Sequence, residues 1–487
     1  MNFISISYAL FLAIAVAIYW SFGQQKLRLW TLLIVSIAFY ATLHLRYIPL
    51  LLVLIFINFQ IGLAIGENIS PEQNNERSRF VQADWNSRRI KLLFLGVTIN
   101  VLLLLSFKYL SPLLNLIKGN HFSTAIVAPL GISFFVFECI AYLVDVYRGA
   151  PATHQFVKFA AYKLFFPKLI SGPITRFHNL VNQFHNLHLL TAENFSEALW
   201  LIAIGAVKKG ILADHIGTYV DLCFGNLQRA GSSDLWLATF AYGFQLYLDF
   251  SGYVDIARGS ALLFGLVLPE NFDFPYFSKS IAEFWRRWHM TLGDWLRNYL
   301  YFPLGGSRRG LTRTCLNLMI VMLIAGIWHG STLGFVVWGA YHGLALVVHR
   351  VTEAIGENFK GLENFWHRPL GVFTAWLLTQ LMVFTSWIWF RLPNLRDSSL
   401  VFVHLWGHTA DDQFVQKVYV EALHLSRYQL TVVLVALATC MAIVYFFKRQ
   451  LKLQFSWPVK LFFVIPCLYA VWLLAPEGNL PYIYFDF

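Results

Sequence analysis

Charge is what this sequence has least of. Only 13% of its 487 residues are Asp, Glu, Lys or Arg, against about 25% in soluble globular domains, and that argues against a water-soluble enzyme. Cysteine is sparse as well. Cys139, Cys223, Cys315, Cys440 and Cys467 lie far apart with no C-x-x-C pair, so neither a disulfide framework nor a zinc site is expected. There is no G-x-S-x-G elbow and no H-E-x-x-H helix, which removes the serine-nucleophile and zinc routes to acyl chemistry. No fixed-period or inverted repeat and no long Gly/Ser or Pro-rich linker breaks the chain, so a single domain over 1–487 is expected. The first apolar stretch has no basic region before it and no small-residue cleavage site after it, and is read as a retained anchor rather than a removed signal.

What fills the sequence instead is apolar. Hydrophobic residues make up 57% and aromatics 17%, which excludes disorder. The net charge is +11. In a nucleic-acid binder such an excess gathers in soluble basic patches; here it is shared among apolar runs, as in membrane loops. A hydrocarbon core about 30 Å thick takes about 20 apolar residues of helix. Residues 3–20, 27–43, 47–66, 92–107, 125–147, 234–250, 370–390, 429–447 and 460–475 qualify, with shorter or interrupted runs at 197–213, 316–328 and 333–349. The expected fold is all-α and polytopic, with about 10–12 transmembrane helices plus re-entrant and amphipathic helices.

Orientation follows from the basic residues, which accumulate in short cytoplasmic loops. Arg77, Arg79, Arg88, Arg89 and Lys91 mark 67–91, the most loop-like stretch, as inside. Arg148, Lys158, Lys163, Lys168 and Arg176 do the same for 148–176, and Lys279, Arg286, Arg287, Arg297, Arg308, Arg309 and Arg313 for 276–313. The N-terminus and the charge-balanced segment 391–428 are then outside.

Chemistry is expected in two places. Ile281, Phe284, Trp285, Trp288, Leu292, Trp295, Leu296 and Tyr299 repeat at the spacing of one helical face, with His289 at its margin. Read as one helix, this is an interfacial element with tryptophans at headgroup depth. The run 316–328 is about 20 Å of helix, too short to span, and would deliver His329 partway through the bilayer. An ionisable side chain at that depth is a functional-site candidate, although a histidine capping a helix end would be placed similarly. A neutral imidazole in an apolar setting can act as general base, taking the proton of a hydroxyl as it attacks a thioester.

PLGISFFVFECIAYLVDVYRG (129–149), KLISGPITR (168–176), LYLDFSGYVDIARG (246–259), LPENFDFPYFSKSIAEFWRRWHMTLGDWLRNYLYFPLGG (268–306), GIWHG (326–330) and PYIYFDF (481–487) together resemble the membrane-bound O-acyltransferases. The similarity is greatest to the bacterial branch that includes the alginate O-acetylation and teichoic-acid D-alanylation membrane proteins. The resemblance covers nearly the whole chain in order. It implies that His329, in the W-H-G motif, is the catalytic residue and that His289, in the R-R-W-H motif, is a second essential group near the same tunnel. It also implies an acyl donor from the cytoplasm, acetyl-CoA or an acyl-carrier thioester, with no bound cofactor and no metal. The acceptor would be an extracytoplasmic polysaccharide or an exported relay protein, and the location the inner membrane. Trp285, Trp328, Arg297 and Asn298 are the expected substrate contacts. Gly293-Asp294 departs from the small polar residues of the alginate branch and leaves the role of Asp294 open.

Other readings remain. His289 and Asp294 spell H-x-x-x-x-D, the signature of another acyltransferase class, but five residues of helix set the side chains about 140° apart. Asp249 and Asp255 could line a polar tunnel or end a helix. Together with His329 they could also serve a transporter or flippase of an exopolysaccharide system, the alternative to an enzyme. Glu138 and Asp145 share a helical face and are expected to meet protein or water. His178, His185 and His188 share a face without a Cys or acidic ligand nearby, and Gly305-Gly306-Ser307-Arg308-Arg309 could receive donor phosphates or simply turn.

Overall fold

The computed structural model describes residues 3–67, 76–118, 127–185, 190–356, 360–476 and 481–483, and these are helical with connecting turns. They fall into two compact units, Met1–Ile202 with Ile256–Pro269, and Ala203–Asp255 with Glu270–Phe487. Among the described residues six stretches are long and apolar enough to cross a membrane: Gln25–Gly66, Asn86–Ser111, Gly310–His329, Pro369–Arg391, Arg427–Arg449 and Trp457–Leu474. The all-helical, membrane-embedded class read from composition is the class observed.

The first unit includes the helices Ile6–Ser21, Gln25–His44, Ile48–Gly66, Glu76–Lys118 and Ile132–Tyr147. Several buried polar groups inside it are paired with one another, as an interior without water favours. Asn100 donates to Asn58 Oδ1 at 2.7 Å across two apolar helices. Glu138 accepts from Lys168 at 2.6 Å, from Lys163 at 3.3 Å and from the Thr175 backbone N–H at 3.1 Å. Glu138 therefore meets protein, as expected. The segment 67–91 is less loop-like than its composition indicates, because the helix Glu76–Lys118 already includes 76–91; Pro71, Gln73, Asn74 and Asn75 lie outside the described residues.

The second unit holds the helices that matter below: Ile281–Arg287, Met290–Leu296, Gly310–His329, Leu333–Gly356 and Pro369–Arg391. Gly310–His329 and Leu333–Gly356 pack through their backbones. A Cβ on Gly326 would meet Phe335 O at 2.3 Å and Gly339 Cα at 3.1 Å, so only glycine permits this approach, the small-residue contact common between membrane helices.

Three sequence expectations are corrected here. The run 316–328 is not a helix too short to cross: it begins at Gly310 and has 20 residues, about 30 Å. The six residues before Leu316 carry the helix back to Gly310: Thr314 Oγ1 donates to Gly310 O at 2.9 Å and Arg313 Nη2 donates to Leu304 O. Residues 281–299 are not one amphipathic helix. The chain breaks at Trp288-His289, where His289 takes φ 43° and ψ 54°, and resumes as a separate helix. A periodicity plot cannot register one left-handed residue between two helical segments. Asp249 and Asp255 likewise do not end a helix; both stand inside Ser232–Leu262.

Candidate active site

His329 closes the Gly310–His329 helix and is 3% exposed. The next residue, Gly330, is extended, and a Cβ there would meet the Phe335 ring at 2.3 Å; this glycine lets Phe335 fold back over the histidine. Ring centroids of Trp328, Phe390 and Trp338 lie 4.6, 5.0 and 5.1 Å from the His329 ring, and that of Phe335 at 6.4 Å. An imidazole enclosed this way is shielded from water, and its orientation is set by rigid neighbours.

His289 is 1% exposed and sits in the left-handed region, a backbone state that costs a non-glycine residue about 1–3 kcal/mol and persists where the surroundings impose it. Asn271 supplies those surroundings. Its backbone carbonyl accepts from Met290 N at 2.9 Å, and its Oδ1 accepts from Thr291 N at 3.0 Å and Thr291 Oγ1 at 2.8 Å. The same Oδ1 stands 3.3 Å from His289 Nδ1. Because an amide oxygen only accepts, Nδ1 carries the proton and Nε2 is the basic nitrogen. Burial pushes the His289 imidazole down to about 3.

That shift has a pH consequence. Between the ordinary 6.5 and about 3, the unfolded chain binds a proton that the folded chain does not, so stability falls as pH falls through this window. Melting temperature is expected to be lower at pH 5 than at pH 7.5. In Asn271→Asp the new carboxylate raises the His289 value and flattens that dependence; an unchanged slope would remove His289 as its source.

The two histidines belong to one aromatic network. His289 meets Phe250 at 4.9 Å, and contacts of 5.1, 5.1 and 5.0 Å continue through Phe272, Trp288 and Trp387. Trp387 meets Trp338 at 6.2 Å, and Trp338 meets His329. Trp285 joins at Trp338, 5.8 Å away. Of the expected substrate contacts, Trp328 and Trp285 thus lie in the network that holds His329. Arg297 and Asn298 are engaged with Asp294, at 2.7 and 3.0 Å from its Oδ1. The open role of Asp294 is thereby filled, since its carboxylate orders the turn Arg297–Tyr301 rather than a histidine.

The remaining candidates are dispersed. Asp249 pairs with Lys209 at 2.6 Å and Asp255 with Lys208 at 2.6 Å. His178 lies in the helix Phe177–Val181 and His185 ends the following turn Asn182–His185, so no single helix aligns them; His188 lies outside the described residues, among which no metal-holding cluster of His, Cys, Asp or Glu occurs. Gly305 and Gly306 have φ of 107° and 57°, the geometry of a tight turn.

Sequence reading missed His342. It is fully buried on Leu333–Gly356, with its ring 4.8 Å from Trp338 and 5.2 Å from Trp285. The signal was available: it is a histidine four residues after Trp338 inside the apolar run 333–349, the same anomaly that marked His329.

Residues 27–387 match the MBOAT, membrane-bound O-acyltransferase family. A Pseudomonas aeruginosa protein named "Probable alginate O-acetylase AlgI" is 40% identical over 397 residues, covering 80% of this chain and 71% of that one. A Helicobacter pylori "Peptidoglycan O-acetyltransferase" is 36% identical over 402 residues, with 76% and 72% covered. A Streptococcus thermophilus "Teichoic acid D-alanyltransferase" is 29% identical over 291 residues, with 54% and 70% covered.

Proposed function

The chain belongs to the membrane-bound O-acyltransferases and is an O-acyltransferase; from that premise we propose that it moves an acetyl group from a cytoplasmic thioester across the membrane to a hydroxyl outside, with His329 as general base. The observation that carries this reading is the enclosure of His329 by four aromatic rings at the end of an apolar helix. There the imidazole takes the proton of the acceptor hydroxyl as its oxygen bonds to the thioester carbon. The tetrahedral oxyanion then collapses, the C–S bond breaks, and the proton passes from His329 to the departing sulfur. His289, held rigidly by Asn271, positions the donor; its one N–H is given to Asn271, so the neutral ring has none left for the oxyanion. Trp328 and Trp285 pack the substrate, and Arg297 and Asn298 meet the donor on its approach.

Acetyl-CoA is the first donor to test and an acyl-carrier thioester the second. The acceptor is a polysaccharide hydroxyl, as the names of two relatives suggest, or a relay protein that passes the group on, in the inner membrane. The test uses the protein in sealed liposomes, with acetyl-labelled acetyl-CoA outside and alginate oligosaccharide inside. Label in the oligosaccharide supports the proposal. Movement of oligosaccharide without any thioester would turn the reading to transport, and transfer only from a D-alanyl carrier would favour the D-alanyl alternative that the third relative suggests.

A further inference from the structure

The centre around His342 is not used by the chemistry above, and its hydrogen-bonding inventory is unbalanced. Ser386 Oγ donates its single proton to Val383 O at 2.6 Å. It can therefore only accept from His342, whose Nε2 lies 2.9 Å away. This fixes the neutral ring as the Nε2–H tautomer and leaves Nδ1 as a lone-pair acceptor. Nδ1 has no hydrogen-bond partner among the described residues, and neither do the indole N–H groups of Trp285, Trp338 and Trp387. These indole rings lie 5.2, 4.8 and 6.2 Å from the His342 ring. One buried acceptor and three buried donors thus belong to rings packed against one another, the indoles within 6.2 Å of the His342 ring. A buried polar group left unpaired is destabilising.

The chemistry of a complement to this set is narrow. A carboxylate or phosphate accepts from indoles but gives nothing to Nδ1. An ammonium gives but cannot accept, and an acyl chain does neither. A hydroxyl donates one hydrogen bond and accepts up to two. Trp338 touches both His342 and His329, so a hydroxyl-bearing group seated here lies beside the proposed base. We infer that His342 is an acceptor-binding residue, whose Nδ1 receives a hydrogen bond from a hydroxyl of the acyl acceptor while up to two of the tryptophan N–H groups donate to it. The ligand class is a neutral alcohol such as a sugar. This inference rests on the acyltransferase reading and adds to it the side from which the acceptor is held.

The test uses purified full-length protein in nanodiscs, with acetyl-CoA as donor and deacetylated alginate oligosaccharide as acceptor. Hydrolysis of acetyl-CoA without acceptor serves as a separate donor readout. His342→Phe keeps the ring volume and removes both nitrogens. It should raise the acceptor KM about tenfold or more while donor KM and hydrolysis stay near wild type. Ser386→Ala, which releases the tautomer while leaving the helix packed, should raise the acceptor KM by about threefold and keeps the question answerable if His342→Phe does not fold. An acceptor KM unchanged in the folded variants would overturn the inference, whether the centre then holds water or only packs. A wild-type protein that transfers to no alcohol yet hydrolyses acetyl-CoA would overturn it as well. Absence of both activities would instead defeat the acyltransferase chemistry itself, and this inference with it.

Discussion

His329→Ala is expected to reduce acyl transfer by about 10²–10⁴-fold, the range attributed to general acid–base catalysis, while acetyl-CoA binding measured by calorimetry is unchanged. The two readouts separate because the imidazole contributes a proton-accepting nitrogen only as the acceptor hydroxyl attacks, whereas the donor is held by surfaces that survive its removal. Truncating a ring that packs against Trp328, Phe335, Trp338 and Phe390 also leaves a cavity, which in cores costs about 2–5 kcal/mol for large-to-small changes. His329→Phe is the control, since it fills the space and supplies no base. Both variants should be inactive, with His329→Phe retaining the wild-type melting temperature. Turnover in His329→Phe would remove the histidine from the chemistry, and loss of donor binding in both would make it a structural residue.

Lys209→Met should lower stability by about 3–5 kcal/mol, the cost of breaking a buried ion pair by deleting one partner. Lys209 lies in a π-helical turn, Val207–Ala213, and its ammonium stands 2.6 Å from Asp249 and 2.8 Å from Asp214, all three side chains no more than 2% exposed. The ammonium also donates to Pro481 O, and Asp249 accepts from Ile483 N at 3.1 Å. Methionine matches the lysine stem but leaves two carboxylates facing each other without a cation. The expected result is a large fall in melting temperature in detergent, partly restored in the double variant Lys209→Met/Asp249→Asn, which removes one of the opposed charges. A single variant as stable as wild type would show that the carboxylates find other partners.

His329 and His342 illustrate what could be read from the sequence. Both are histidines in apolar runs beside tryptophan, and burial costs make such positions informative wherever they occur. His329 stood at a break between runs and drew attention, whereas His342 was masked by the continuity of its helix. Periodicity failed at His289 for a definite reason. The backbone reversal there is imposed by Asn271, eighteen residues earlier, and no local pattern encodes a hydrogen bond from that distance. Asp294 was ambiguous in the sequence because its partners, Arg297 and Asn298, are reached only through the geometry of the turn they share.

By itself the sequence determined the solvent. With 13% charge and 57% hydrophobic residues, the chain can satisfy its backbone only as helices in a membrane, and its ordered motifs determined the family. Tertiary structure alone decided which polar side chains became cores of buried charge and which came to lie among aromatic rings. Asp249 and Glu138 are held by lysines from other helices, while His329 and His342 are both brought against Trp338. Composition sets the price of burying each group, which is the same wherever it falls in the chain. Whether a partner meets it depends on contacts between residues far apart in sequence, and only folding supplies those.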